Sequence, residues 1–210
     1  MINETILVRQ YLNGENINPN CLYRICFLLA KWYKEQGIED KLQVRTNIFE
    51  WANKYGVYLP LYLNACIDNA FGDERRLTEN IVVRVSEEDV AEIKRRFDNK
   101  KTRKVALAIL CYAKTFANSK GEFRISQVSF ADWVHIDPAN VGRRHFRELI
   151  DYGYMTRIDN GSAKHNFWNK DVKTKMNKYK ISVPIRNTGE YVLDDNNIDK
   201  LYEEIFANQL

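Results

Sequence analysis

The chain has little of what marks a secreted, membrane-spanning or metal-dependent protein. Cysteine occurs four times in 210 residues, at Cys21, Cys26, Cys66 and Cys111. Each lies in an apolar, helix-like context, so reduced, buried thiols are expected and a disulfide framework is not. Cys21 and Cys26 have no paired CxxC or HxxxH partner, which argues against zinc. The three histidines, His135, His145 and His165, are scattered. No apolar run approaches the roughly 20 residues of a membrane span; the run at Val105–Tyr112 is too short. The start, Met1-Ile2-Asn3-Glu4, carries an acid where a signal peptide needs a basic segment. A cytoplasmic location, in bacterial cytoplasm or nucleoid, is therefore expected. Glycine-rich phosphate loops, dinucleotide fingerprints and nucleophile elbows are all missing from the sequence. So are internal repeats and low-complexity tracts. The expectation is a protein that is not an enzyme and uses neither cofactor nor metal.

What is present is an ordinary globular composition, 45% apolar and 29% charged. That is enough for one large domain or two small ones. The net charge of +4 is mild, but it is a cancellation. Residues 1–99 hold 13 Lys+Arg against 15 Asp+Glu, a net of −2. Residues 100–180 hold 17 against 7, a net of +10, and residues 181–210 hold 2 against 6, a net of −4. A basic middle between acidic flanks points to one segment that meets a polyanion.

The first third reads as helical. Leu22, Ile25, Cys26, Leu29, Trp32 and Tyr33 recur at spacings of three and four, with Pro19 near the start and Gly37 at the end. A second helix is expected from an Asp40 cap to about Tyr55, with a stripe of Leu42, Arg45, Ile48, Phe49 and Ala52. A third follows Pro60, with Leu61, Ala65 and Ile67–Phe71 inward. Residues 1–72 thus form an N-terminal helical domain. Residues 73–99 read as a connecting segment, with a short strand at 81–85 and a helix that starts at Ser86 and ends near Phe97.

Residues 100–185 carry an ordered set of parts. An apolar helix, "RKVALAILCYAK", leads through a turn to the extended "EFRIS". A short helix follows from Val128 to Val134, then the tight turn His135-Ile136-Asp137. A longer helix runs from Pro138 to Tyr152, capped by Asp137, and Gly153 stops it before the strand Tyr154–Ile158. A partner strand is expected near Tyr179–Val183. Together "VSFADWVHIDPANVGRRHFREL" and "LIDYGYMTRI" resemble a winged helix-turn-helix domain, over about a quarter of the chain. The resemblance implies the fold. It also implies binding to DNA, protein or occasionally RNA. The expected fold class is mainly α with a small β wing: an N-terminal helical bundle plus a winged helix-turn-helix domain.

On a 100° wheel, Gly142, Phe146, Leu149, Ile150 and Gly153 of the longer helix share one side, with Gly142 allowing close approach to the preceding helix. Asn140, Arg144 and Arg147 lie opposite, flanked by Arg143. Arginine reads guanine and asparagine reads adenine in the major groove, so these four are the expected base-contacting residues. The plainer alternative is that Arg144 pairs with Glu148, or Arg147 with Asp151, at the surface. In the wing, Arg157, Lys164, His165, Lys170, Lys173, Lys175 and Lys178 are expected to meet phosphates. Phe167 and Trp168 either stack on bases or anchor the loop.

Residues 186–210 are expected to end in an acidic amphipathic helix, about Asn197–Asn208. Its apolar side carries Ile198, Leu201, Tyr202, Ile205 and Phe206. Leu201, Tyr202 and Ile205, with Trp51 and Tyr58 of the first module, are the candidate protein-contact residues, whether for a homodimer or another partner. The acids Asp194, Asp195, Asp199, Glu203 and Glu204 admit a magnesium-nuclease reading, which is weaker than that of a solvated helix face. The leading expectation is sequence-specific binding of double-stranded DNA by a replication-initiation or transcription-regulatory protein of a phage, plasmid or bacterium. The rival is an adaptor or inhibitor that docks on a larger nucleoprotein complex, with the winged helix used for protein or RNA contact.

Overall fold

The computed structural model describes residues 3–159 and 177–206. It is mainly helical, with a few short strands. The chain separates into two compact units, Met1–Ile81 and Val82–Leu210. The division falls inside the stretch expected to connect the domains. Residues 82–99 belong with the second unit, as do residues 186–206.

The first unit contains α1 (Glu4–Leu12), a 3-10 turn (Pro19–Cys21), α2 (Leu22–Glu35), α3 (Lys41–Tyr55) and α4 (Leu63–Gly72). Asp40 caps α3 by accepting from the Leu42 N–H at 2.9 Å. Gly56 ends that helix at φ +65°, a left-handed conformation that glycine adopts without strain. The core comes from Val8 and Tyr11 of α1, Ile25 and Leu29 of α2, Val44 and Ile48 of α3, and Cys66 and Ile67 of α4. Asn3 and Ile81 exchange two hydrogen bonds, at 3.0 and 2.8 Å, which fasten the two ends of the unit together.

Two expectations about this unit are corrected. The buried stripe of α3 is Val44, Ile48, Trp51 and Ala52, while Leu42 and Phe49 are exposed. Trp51 is therefore no surface contact residue: it is buried, and its indole N–H donates to the Tyr11 carbonyl at 2.7 Å. A tryptophan buries more apolar area than either rival on the wheel, and its single polar group has found a partner. In α4, Leu63 and Cys66 face inward, and Leu61, before the helix, is exposed.

The second unit is built on α6 (Lys100–Phe116), whose residues Val105 to Ala113 are all buried. Asn99 caps it, accepting from the N–H groups of Lys101 and Thr102. Before it come β1 (Val83–Val85) and α5 (Glu87–Arg96). Ser86 and Asp89 form a reciprocal capping box at the start of α5. After α6 come β2 (Glu122–Ile125), α7 (Gln127–Trp133), α8 (Pro138–Asn140), a π-helical turn (Val141–His145), α9 (Phe146–Asp151), β3 (Met155–Asp159) and β4 (Asn177–Ile181). The strands β2, β4 and β3 form an antiparallel sheet with β4 in the middle. Phe146 packs edge-on against Phe130 at 5.3 Å and against Tyr179 at 5.4 Å, so one ring joins α7, α9 and the sheet.

The last segment is β5 (Tyr191–Leu193), antiparallel to β1, and α10 (Ile198–Phe206). Leu201 and Ile205 are buried within this unit, and Tyr202 is half-buried and stacks on Phe206 at 4.7 Å. The apolar side of α10 thus covers its own unit, so Leu201 and Ile205 are not exposed contact residues. All four cysteines are buried. Burial pushes the thiols of Cys26 and Cys111 up to about 12 and that of Cys66 to about 11, so they stay protonated and unreactive near neutrality.

Candidate nucleic-acid interface

The segment 127–151 is shaped by its caps. Ser126 accepts from the Ser129 N–H at the start of α7. At its end, His135 donates its N–H to the Asp132 carbonyl and Ile136 donates to Ala131, a Schellman closure. Closing it places His135 at φ +51°, a conformation usually left to glycine. The His135 side chain is held there by Asp199, with Nδ1 at 2.7 Å from Oδ2. Asp137 then caps the next helical segment, its Oδ1 accepting from the N–H groups of Ala139 and Asn140, with Pro138 at the first position. A second Schellman closure ends α9, where Gly153 and Tyr154 donate to Ile150 and Leu149 and Gly153 takes φ +66°. The chain then turns directly into β3.

From Pro138 to Asp151 the backbone is helical throughout, but the Phe146 N–H bonds to the Val141 carbonyl five residues back. The buried side of this segment is Val141, His145, Phe146 and Leu149. The expected face is thus rotated to include Val141 and His145. Gly142 does lie against the preceding helix: a Cβ there would sit 2.6 Å from Gln127 Oε1. The opposite side presents Asn140, Arg143, Arg144 and Arg147, all exposed. Arg147 makes only a loose contact with Asp151, at 3.9 Å with both side chains well exposed. Glu148 is engaged from beneath, accepting from Thr102 Oγ1 at 2.7 Å.

Beneath the arginines, His145 is buried, and its Nδ1 lies 3.0 Å from Thr102 Oγ1. Burial, followed by repulsion from Arg144, holds the imidazole below its ordinary pKa; Glu148 opposes this and Lys101 adds to it. His145 is thus a core residue. Lys101 is exposed at the first turn of α6, and its charge reaches the His145 ring. The wheel of the helix missed Lys101, although the run Lys100-Lys101-Thr102-Arg103-Lys104 was visible in the sequence.

In the sheet, the Arg157 guanidinium donates to Asn177 Oδ1 at 2.8 Å. Lys178 is half-buried and pairs with Glu122 at 2.6 Å, which makes it a strand-to-strand tie more than an open phosphate contact. Arg124 and Lys180 are exposed on neighbouring strands. The expected wing residues Lys164, His165, Lys170, Lys173 and Lys175, with Phe167 and Trp168, lie outside the described residues.

Two of the C-terminal acids, Asp199 and Asp195, are engaged in structure. Asp199 binds Lys104 as well as His135. Burial pushes its carboxyl up, but the hydrogen bonds from Lys104 and His135 outweigh that and hold it below the ordinary value. Asp195 accepts from the Asn197 N–H and pairs with Lys200 at 3.3 Å. Among the described residues no group of three or more His, Cys, Asp or Glu could hold a metal ion. No described helix is long and apolar enough to cross a membrane. In the first unit, Tyr58 is 93% exposed, and Leu61 and Tyr62 beside it are also exposed. No protein-family model, curated protein or solved structure matches the chain.

Proposed function

We propose that the second unit binds double-stranded DNA sequence-specifically as a winged helix, with the segment 138–151 as its recognition helix. The observation that carries this reading is the four-residue exposed row of Asn140, Arg143, Arg144 and Arg147, backed by a buried face and preceded by a capped helix and tight turn. Side chains of these types make bidentate contacts to adenine and guanine edges, and a helix of this diameter fits the major groove. Arg157, the exposed cations of the sheet and the lysines of the 160–176 segment supply phosphate contacts. The protein would be a non-enzymatic regulator of replication or transcription in a phage, plasmid or bacterium, acting in the cytoplasm, an assignment by analogy of layout.

A second reading, an adaptor that docks on a nucleoprotein complex, is favoured by the exposed Tyr58, Leu61 and Tyr62 of the first unit. A selection of duplexes from a random pool by the purified chain separates the two. Enrichment of one sequence family supports the first reading. Recovery of no preferred sequence, at low and high salt alike, overturns it and leaves the second.

A further inference from the structure

We infer that Thr102, His145 and Glu148 form a directed hydrogen-bond lock that holds the π turn and thereby sets the angle at which the arginine row is presented. The inference rests on the DNA reading for its consequence, though not for its chemistry. The Thr102 hydroxyl has one proton. It lies 2.7 Å from Glu148 Oε2, and the carboxylate can only accept, so the proton points there. Toward His145 the same oxygen is left as an acceptor, and the ring Nδ1, at 3.0 Å, must carry the hydrogen. The chain therefore runs in one direction, from His145 Nδ1–H to Thr102 to Glu148. Thr102 and His145 are both buried, so the link between them is made where water does not compete, and the link to the half-buried Glu148 continues the chain toward the surface.

The lock bridges the irregularity. His145 is the last residue of the π turn and Glu148 lies in α9, while Thr102 belongs to α6. In a plain α-helix Val141 and Phe146 would be separated by about 140° around the axis. The bond from Phe146 N–H to the Val141 carbonyl stacks them instead, so both point into the core. The inserted residue also shifts the phase of Arg147 relative to Asn140 and Arg143. A helix that relaxed to i→i+4 bonding would carry the same charges at different angles. It would keep its attraction to phosphates and lose its register on base edges. Thr102, His145 and Glu148 touch no base in this scheme; they are positioning residues.

Thr102→Val removes the hydroxyl at nearly constant volume, and Thr102→Ser keeps it. The probes are the duplex that the wild-type chain enriches most and a shuffled duplex of the same composition. Thr102→Val is expected to lower the preference for the enriched duplex by about tenfold or more, as a misplaced base contact does. Affinity for the shuffled duplex and its salt slope should stay unchanged. Hydrogen exchange at the Phe146 amide should quicken in Thr102→Val and stay at the wild-type rate in Thr102→Ser. If Thr102→Val fails to fold, Glu148→Met, at a half-buried position, removes the final acceptor: the preference should again fall about tenfold or more and the Phe146 amide exchange faster, while the lost carboxylate raises the affinity for the shuffled duplex. The inference is overturned if the preference persists in the variant, if both duplexes weaken equally, or if the Phe146 amide exchanges as in the wild type. Should the wild type prefer no duplex, the DNA reading fails by itself, and the exchange comparison alone decides the lock.

Discussion

Lys114→Met tests the packing of the second unit. The Lys114 side chain is fully enclosed, and its ammonium donates to Asp89 Oδ2 at 2.6 Å and to the Arg84 carbonyl at 2.8 Å. One side chain on α6 therefore fastens α5 and β1. Methionine keeps the length and removes the charge. Breaking a buried pair from one side costs about 3–5 kcal/mol, because the remaining charge is stranded. Here Asp89 is slightly accessible and still accepts from the Ser86 N–H at 3.1 Å, so the lower end applies, about 3 kcal/mol. For a unit of this size each kcal/mol moves the midpoint by roughly 3–4 °C, so thermal unfolding should come about 10 °C earlier. Calorimetry on the full chain reads this. Adding Asp89→Asn should cost less than the sum of the two single changes, since the stranded charge is then gone. A shift below about 2 °C for Lys114→Met, or strict additivity in the double variant, would refute the reasoning.

Other outcomes follow from the same contacts. The His145 pKa is lowered in the folded protein, so the unfolded chain takes up a proton first as pH falls through 6.5. Stability of the second unit is then fully present above that pH and declines below it, and His145→Phe should flatten the decline in a pH series of urea melts. Trp133 donates its indole N–H to the Asn196 carbonyl at 2.7 Å, so Trp133→Phe should cost about 1–2 kcal/mol and speed hydrogen exchange in α10. Ser86→Ala removes one half of the capping box and should cost about 1 kcal/mol by urea denaturation.

Much of this architecture is legible in the sequence because local chemistry marks it. Asp40, Ser86, Ser126 and Asp137-Pro138 start helices where side-chain caps are favoured, and Gly56 and Gly153 stop them where φ turns positive. What stays hidden depends on neighbours distant in sequence. Trp51 and Phe49 lie on nearly opposite sides of α3, so burying one exposes the other, and the Trp51 side is the one that meets Tyr11. The pairing of β1 with β5 joins residues more than a hundred positions apart, and neither strand has a local signal for the other. The helix Glu4–Leu12 holds its apolar residues in two consecutive groups, Ile6-Leu7-Val8 and Tyr11-Leu12, which wrap around the axis and give no narrow stripe for periodicity to find. On the candidate interface, the exposed row Asn140, Arg143, Arg144 and Arg147 can be read from a wheel, because outward positions tolerate a phase error. The buried side cannot: the π turn rotates it, and the burial of His145 depends on a threonine in another helix.

The central claim is that the arginine row meets DNA, and the most direct measurement is the salt dependence of duplex binding for the wild type and for Arg144→Ala with Arg147→Ala. As base-edge contacts the two arginines are worth about 1–3 kcal/mol each on the preferred duplex, so the double variant should bind it at least tenfold more weakly, with its affinity approaching that for a shuffled duplex at every salt concentration. Equal affinities and equal slopes for the two proteins would contradict the claim.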